Sequence, residues 1–218
     1  MRITITYDSE LHLAELKSGW GFSCLVENGR KVLFDTGWDG TILLSNMKAL
    51  GIDPKGIDTI VLSHAHWDHI GGLAWLLSVN PNVEVYVPSS FSKRLKGEIA
   101  SRAVLLEVDG LAEICDRVYT TGVLGTKIKE QSLLLETKRG LTVITGCAHP
   151  GLSVILDKAS SLGSIYGVIG GFHGFDDYDI LNDVSLIVPC HCTVHKSEIA
   201  QRFPDACETN GAGWSGEV

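Results

Sequence analysis

The segment His64-Ala65-His66-Trp67-Asp68-His69 holds three imidazoles and a carboxylate within six positions. Imidazole nitrogen and carboxylate oxygen are the donors that zinc and related divalent ions accept. His64 and His66 stand two apart, so on an extended segment their side chains project to one side. Asp68 and His69 fall on the first turn of a following helix and can face a neighbouring point. One short stretch can thus serve two ions, and two ions ~3.5–4 Å apart can hold a hydroxide and clamp a substrate oxygen. Capping or surface roles would account for any one of these residues, but four donors in so short a run point to metal.

The surrounding elements put this segment where ligands gather. Asp58-Thr59-Ile60-Val61-Leu62-Ser63 is a largely apolar run that reads as a strand covered on both faces, and 70–78 reads as a buried helix. Residues 2–7, 21–28 and 31–36 alternate as strands, with Glu27-Asn28-Gly29-Arg30 as a hairpin turn. A helix is expected over 40–50, ended by Gly51. Strand 83–87, several β-like runs between 103 and 138, strand 141–147, helix 151–162, strand 165–169, a short helix near 177–182, strand 184–188 and helix 195–202 follow. Two sheets with helices outside would bury such runs. His64, His149, His173 and His191 each come shortly after an apolar strand, and loops beyond the carboxyl ends of strands are favoured ligand sites.

Composition limits the partners. With 18 Lys and Arg against 26 Asp and Glu, the net charge is -8, which argues against nucleic acid or an anionic membrane as the main partner. No apolar run reaches the ~18 residues of a membrane span, and the first residues alternate like a strand rather than a signal peptide. The six cysteines form no Cys-x-x-Cys pair. A cytoplasmic protein acting on a small molecule, one domain over 1–218, is the expectation.

His-x-His-x-Asp-His after a buried strand resembles the signature of the metallo-β-lactamase fold. Phe34-Asp35-Thr36-Gly37, Thr145-Gly146-Cys147-Ala148-His149-Pro150-Gly151 and Pro189-Cys190-His191-Cys192-Thr193 resemble its other stations, in order. The resemblance implies an α/β fold, a four-layer αββα sandwich of two mixed β-sheets with outer helices. It implies a first ion on His64, His66 and His149, a second on Asp68, His69 and His191, and Asp35 as a carboxylate that orients a ligand imidazole. Two divalent ions are expected, Zn²⁺ first, with Mn²⁺ or Fe²⁺ as alternatives. Trp20-Gly21-Phe22-Ser23 and Gly170-Gly171-Phe172-His173-Gly174 narrow the likeness to the 7,8-dihydropterin-6-methyl-4-(β-D-ribofuranosyl)-aminobenzene-5′-phosphate synthase-like subgroup.

One station departs from the pattern. Many members carry an aspartate bridging both ions after the strand that is 165–169 here, and this chain has Gly170-Gly171-Phe172-His173. His173 or the acidic residues Asp176, Asp177 and Asp179 could stand in. His173 is expected to face substrate or cluster as a catalytic group, beside Asp68, which ligates and accepts a proton or steers the nucleophile. Cys147, Cys190 and Cys192 read as small buried fillers beside strands. Lys93, Arg94, Lys96 and Arg102 read as the exposed side of a helix. The function expected first is a metal-dependent hydrolase of an ester, phosphoester or amide. The alternatives are a synthase-type transferase joining a dihydropterin to an aminobenzene ribosyl phosphate, and an iron-dependent dioxygenase.

Overall fold

A computed structural model describes residues 1–81 and 83–218. The chain opens with β1 (Arg2–Tyr7), β2 (Ser23–Asn28) and β3 (Arg30–Phe34), an antiparallel meander turning at Gly29. Next come α1 (Gly40–Ala49), β4 (Thr59–Val61), α2 (Trp67–Ile70), α3 (Leu73–Val79), β5 (Glu84–Pro88), α4 (Lys93–Ala100) and β6 (Val104–Val108). The second half runs β7 (Ala112–Cys115), β8 (Val118–Thr120), β9 (Leu133–Thr137), β10 (Gly140–Thr145), α5 (Leu152–Ser160), β11 (Ile165–Gly171), β12 (Leu186–Cys190), α6 (Lys196–Arg202) and β13 (Ser215–Glu217).

These strands form two mixed sheets, ordered β13-β1-β2-β3-β4-β5-β6 and β12-β11-β10-β9-β8-β7. Side chains on a strand point alternately to opposite faces, and this sorts the apolar residues into three layers. On β2 and β3, Cys24, Val26, Val32 and Phe34 face inward to meet Leu133, Leu135, Ile144, Ile169 and Val188 of the second sheet. Their neighbours Leu25 and Leu33 face outward under Leu43, Met47, Leu73 and Leu76 of α1 and α3. Leu134, Val143, Val168 and Ile187 lie under Leu152, Ile155 and Leu156 of α5 and Ile199 of α6. The result is the helix–sheet–sheet–helix order expected from the resemblance.

In the first sheet β3 through β6 are parallel, and in the second β10 through β12 are parallel. Their carboxyl ends share one edge of the sandwich, which is where the donor-bearing loops begin. Two expectations need correction, and one element was not anticipated. The helix read over 70–78 is broken by Gly71-Gly72, because there the chain passes against the Trp38 and Thr36 carbonyls and a Cβ would collide with them. The strand read over 58–63 is hydrogen-bonded as a strand only at Thr59–Val61; its last residues leave the sheet to begin the donor loop. The short β13, which pairs with β1 and seats Trp214 between the sheets, was not anticipated. Among the described residues no helix is long and apolar enough to cross a membrane.

Candidate metal centre

The donor hexapeptide leaves β4, turns in an extended conformation at His66 and enters α2 at Trp67. This switch from extended chain to helical turn aims its side chains at two places. Donor atoms of His64, His66 and His149 lie within 4.8 Å of one another, and so do those of Asp68, His69 and His191. His66 Nδ1 stands 3.2 Å from His149 Nε2, and Asp68 Oδ2 stands 3.1 Å from His191 Nε2 and 3.8 Å from His69 Nε2. Donors around a tetrahedral ion with bonds of ~2.0 Å are spaced about 3.3 Å apart. The two groups therefore have the spacing of ligand sets.

The hydrogen bonds behind the rings fix which nitrogen each presents. Asp35, buried and in a left-handed backbone conformation (φ 56°), accepts from Ser63 N and Ser63 Oγ at 2.7 Å and from His69 Nδ1 at 2.6 Å. The Ser63 hydroxyl proton is spent on Asp35, so Ser63 Oγ accepts from His64 Nδ1 at 2.9 Å. His64 Nε2 is then a bare lone pair, and it is buried without a hydrogen-bond partner among the described residues. A buried unpartnered nitrogen is costly unless something binds it. His69 Nε2 is likewise freed by Asp35. Ser9 Oγ lies 3.2 Å from His191 Nδ1, and Asp8 Oδ2 accepts from His191 N at 3.2 Å. Both come from the end of β1.

Electrostatics match this arrangement. Burial and the surrounding histidines push the His64 imidazole far below its ordinary value, so it is neutral. His149 is lowered to about 4 by burial and by the neighbouring His66, His173 and His69. Burial lowers His191 too, against the pull of Asp68. Burial would also lower His69, but Asp35 outweighs it and holds the ring above its usual range. Burial would raise Asp68, yet the His191 hydrogen bond and the charges of His69 and His191 win and hold it at about 2. Neutral imidazoles and an ionised carboxylate are the forms that bind metal, so His64, His149, His191 and Asp68 are ready to bind, whereas His69, which Asp35 holds above its usual range, would give up its Nε2 proton to an ion. The donor set, the orphaned His64 nitrogen and the ring spacing all fit divalent ions.

Glu130, like Asp8, Ser9 and Ser63, supports the site without having been revealed by the sequence. It is fully buried, and Oε1 accepts from the backbone N–H of Gly146, Cys147 and Ala148 at 3.1, 2.9 and 3.0 Å. Oε2 accepts from His149 N at 2.9 Å. Burial keeps its carboxyl above the ordinary value, against the downward pull of those N–H groups and His69. One carboxylate thus moulds the whole loop that presents His149.

The remaining candidates fall in several places. His173, exposed and left-handed (φ 51°), sits beside His149 with ring centroids 5.0 Å apart. Asp176 and Asp177 are exposed, and Asp179 is paired with Arg202, so the acidic loop does not reach the donors. Cys190 packs in the core between the sheets, as a filler would. Cys147 and Cys192 do not simply fill space: Cys147 Sγ is 3.1 Å from His69 Nε2, and both thiols lie among the imidazoles. The neighbouring Cys192 thiol and burial raise the Cys147 thiol, and Cys147 in turn lowers Cys192, whose Sγ lies 4.0 Å from the Cys147 carbonyl. Lys96 is paired with Glu107 on the outside of α4. Asp35, Ala148, His173 and His191 are four of the five non-glycine residues with positive φ among the described residues, so backbone strain is concentrated at this edge. Trp20 covers His191 at 4.7 Å while remaining 56% exposed.

Known proteins share this organisation. Residues 21–160 match the family model for the metallo-beta-lactamase superfamily. The chain is 31% identical to the 7,8-dihydropterin-6-methyl-4-(beta-D-ribofuranosyl)-aminobenzene-5′-phosphate synthase of Methanocaldococcus jannaschii, with 88% of each covered. Its fold resembles that of Tm1679, a metal-dependent hydrolase of the beta-lactamase superfamily (29% identity, TM-score 0.81, 100% of this chain and 99% of the other). It also resembles the metallo-beta-lactamase fold protein YhfI from Bacillus subtilis (15% identity, TM-score 0.73, 99% of each chain). Strand order, donor loops and these likenesses agree: the chain belongs to the metallo-beta-lactamase superfamily.

Proposed function

We propose that this protein is a metal-dependent hydrolase with two divalent ions, zinc first, acting on a small anionic ester, with a phosphoester as the favoured substrate class. The observation that carries the reading is the pair of three-donor groups, one of which holds a buried His64 nitrogen without a hydrogen-bond partner among the described residues. In this reading His64, His66 and His149 hold one ion, and Asp68, His69 and His191 hold the other. Such ions supply Lewis acidity and make hydroxide available at neutral pH.

The residues then divide the remaining work. Asp35 and Ser63 orient the His69 and His64 rings through Nδ1, Ser9 lies against His191 Nδ1, and Asp8 holds the His191 backbone N–H. Asp68, held at about 2, is too weak a base to store a proton at pH 7. As a ligand it would instead steer the nucleophile. His173 lies beside His149, and in this reading it donates a proton to the leaving group. Lys127 shares one surface recess with His149 and another with His66, where Lys129 also lies. Two ammonium groups beside the centre, on a chain of net charge -8, favour an anionic substrate. The six free thiols fit a cytoplasmic setting.

A second reading is a synthase-type transferase, favoured by the printed activity of the 31% identical relative. Protein purified without added metal is analysed for metal content and assayed on phosphoesters, carboxylic esters and amides. Two zinc or manganese ions, and hydrolysis lost to a chelator and restored by either metal, support the hydrolase. Hydrolysis that survives exhaustive chelation overturns it. A single iron favours the dioxygenase, and a condensation of a dihydropterin without hydrolysis favours the transferase.

A further inference from the structure

The two donor groups carry little negative charge between them. Three imidazoles form the first, and Asp68 is the only acid in the second. The other carboxylates nearby are spent. Asp35 receives three hydrogen bonds and Glu130 four, while Asp179 is paired with Arg202. Two divalent ions call for a further anion.

Cys147 stands where that anion is missing. Its Sγ lies 3.1 Å from His69 Nε2, and it falls within 4.8 Å of the donor atoms of His64 and His69 together. The same sulfur groups at that distance with His191 and Cys192. It is therefore close to members of both ligand sets. Nitrogen and sulfur donors on one tetrahedral ion, with bonds of ~2.05 and ~2.3 Å, are about 3.5 Å apart, close to the distance seen. The backbone holds the thiol in place, because Cys147 N is anchored on Glu130 Oε1 at 2.9 Å. The end of β11 leaves no room for a bridging acid at Gly171. A Cβ at Gly171 would meet Cys192 Sγ at 2.7 Å and collide with the Gly146 carbonyl.

We propose that Cys147 is a seventh ligand, a thiolate that would bind on the side of His69, close to members of both donor groups. The proposal rests on the metal-centre reading above. On binding, the Cys147 S–H bond breaks, a sulfur–metal bond forms and the proton passes to water. Cys192 is the neighbour and not a ligand, since its sulfur groups with the second set only through His191 and Cys147. A thiolate is a soft donor, so the centre prefers zinc, cobalt or iron(II) to manganese or magnesium.

The test uses the full chain loaded with cobalt(II), read by absorption and elemental analysis, and the zinc form read by X-ray absorption. A sulfur-to-cobalt charge-transfer band is expected in the parent and in Cys192→Ser, and its loss in Cys147→Ser. The affinity for the more weakly held ion should fall at least tenfold in Cys147→Ser, with an unchanged circular dichroism spectrum. The zinc form should show one sulfur neighbour at ~2.3 Å; this parent measurement holds even if the variant misfolds. Two bound ions with no sulfur neighbour, a band that survives Cys147→Ser, or a Cys147–Cys192 disulfide in the active protein overturns the proposal alone. Failure of the parent to bind any ion stoichiometrically overturns the metal-centre reading and the proposal with it.

Discussion

Replacing Glu130 tests whether one buried carboxylate builds the His149 loop. Four backbone N–H groups converge on it, all within 3.1 Å. Leaving a buried donor unpaired costs ~1–3 kcal/mol. Glu130→Ala orphans all four, so even at the low end it costs about 4 kcal/mol, a large share of a typical ~5–15 kcal/mol. Glu130→Gln keeps an oxygen for the three N–H groups on Oε1 but sets an amide N–H₂ against His149 N. It loses charge assistance and one bond, so about 2–3 kcal/mol is expected. The assay is urea unfolding of the metal-free protein, with chelator competition for the metal. The Gln variant should also lose roughly 10–100-fold in affinity at the His149 group, as displaced supporting residues do. A Gln variant within about 0.5 kcal/mol of the parent, with unchanged metal affinity, would refute the reasoning.

Asp35→Asn places an amide N–H₂ either against Ser63 N or against both Ser63 Oγ and His69 Nδ1, so it should destabilise by about 3 kcal/mol and weaken metal at the His69 group; chemical denaturation and metal titration read both. In the metal-free protein Asp68 is lowered in the fold, so its contribution to stability is present above the ordinary 3.8 and is lost as pH falls through about 2. Because the group is partly solvated, that contribution is at most about 1 kcal/mol, and acid unfolding curves of parent and Asp68→Asn should converge only near pH 2. Trp20→Ala removes a half-exposed ring from over His191, so it should leave the unfolding midpoint within about 0.5 kcal/mol while raising KM. An unchanged KM would remove Trp20 from the pocket wall.

The donor hexapeptide was legible because its chemistry is local: four donors in sequence need no tertiary information to be noticed. The strand before it was legible through continuous apolarity, and the layers through period-two alternation on β2, β3 and β9. Glu130 was not, since a lone acid beside Lys127 and Lys129 looks like a solvated loop until the fold buries it under the 146–149 turn. Asp8 and Ser9 were hidden for a similar reason. They end β1, far in sequence from the His191 they support. Cys147 and Cys192 read as packing because a thiol's role depends on which imidazoles surround it. Helix α3 lost its first turn to the Gly71-Gly72 contact with the Trp38 and Thr36 carbonyls, and no local propensity encodes such a contact.

The donors come from both sheets, His64 through His69 from the end of β4 and His149 and His191 from the ends of β10 and β12. An ion shared by His64 and His149, as proposed, would therefore work like a removable crosslink between the two halves of the sandwich, closing a long loop of chain. Cohesion of the halves and ion supply become one equilibrium, so the melting temperature should climb with the logarithm of free metal concentration. A cell short of the ion would then lose this protein by unfolding and proteolysis as well as by idleness.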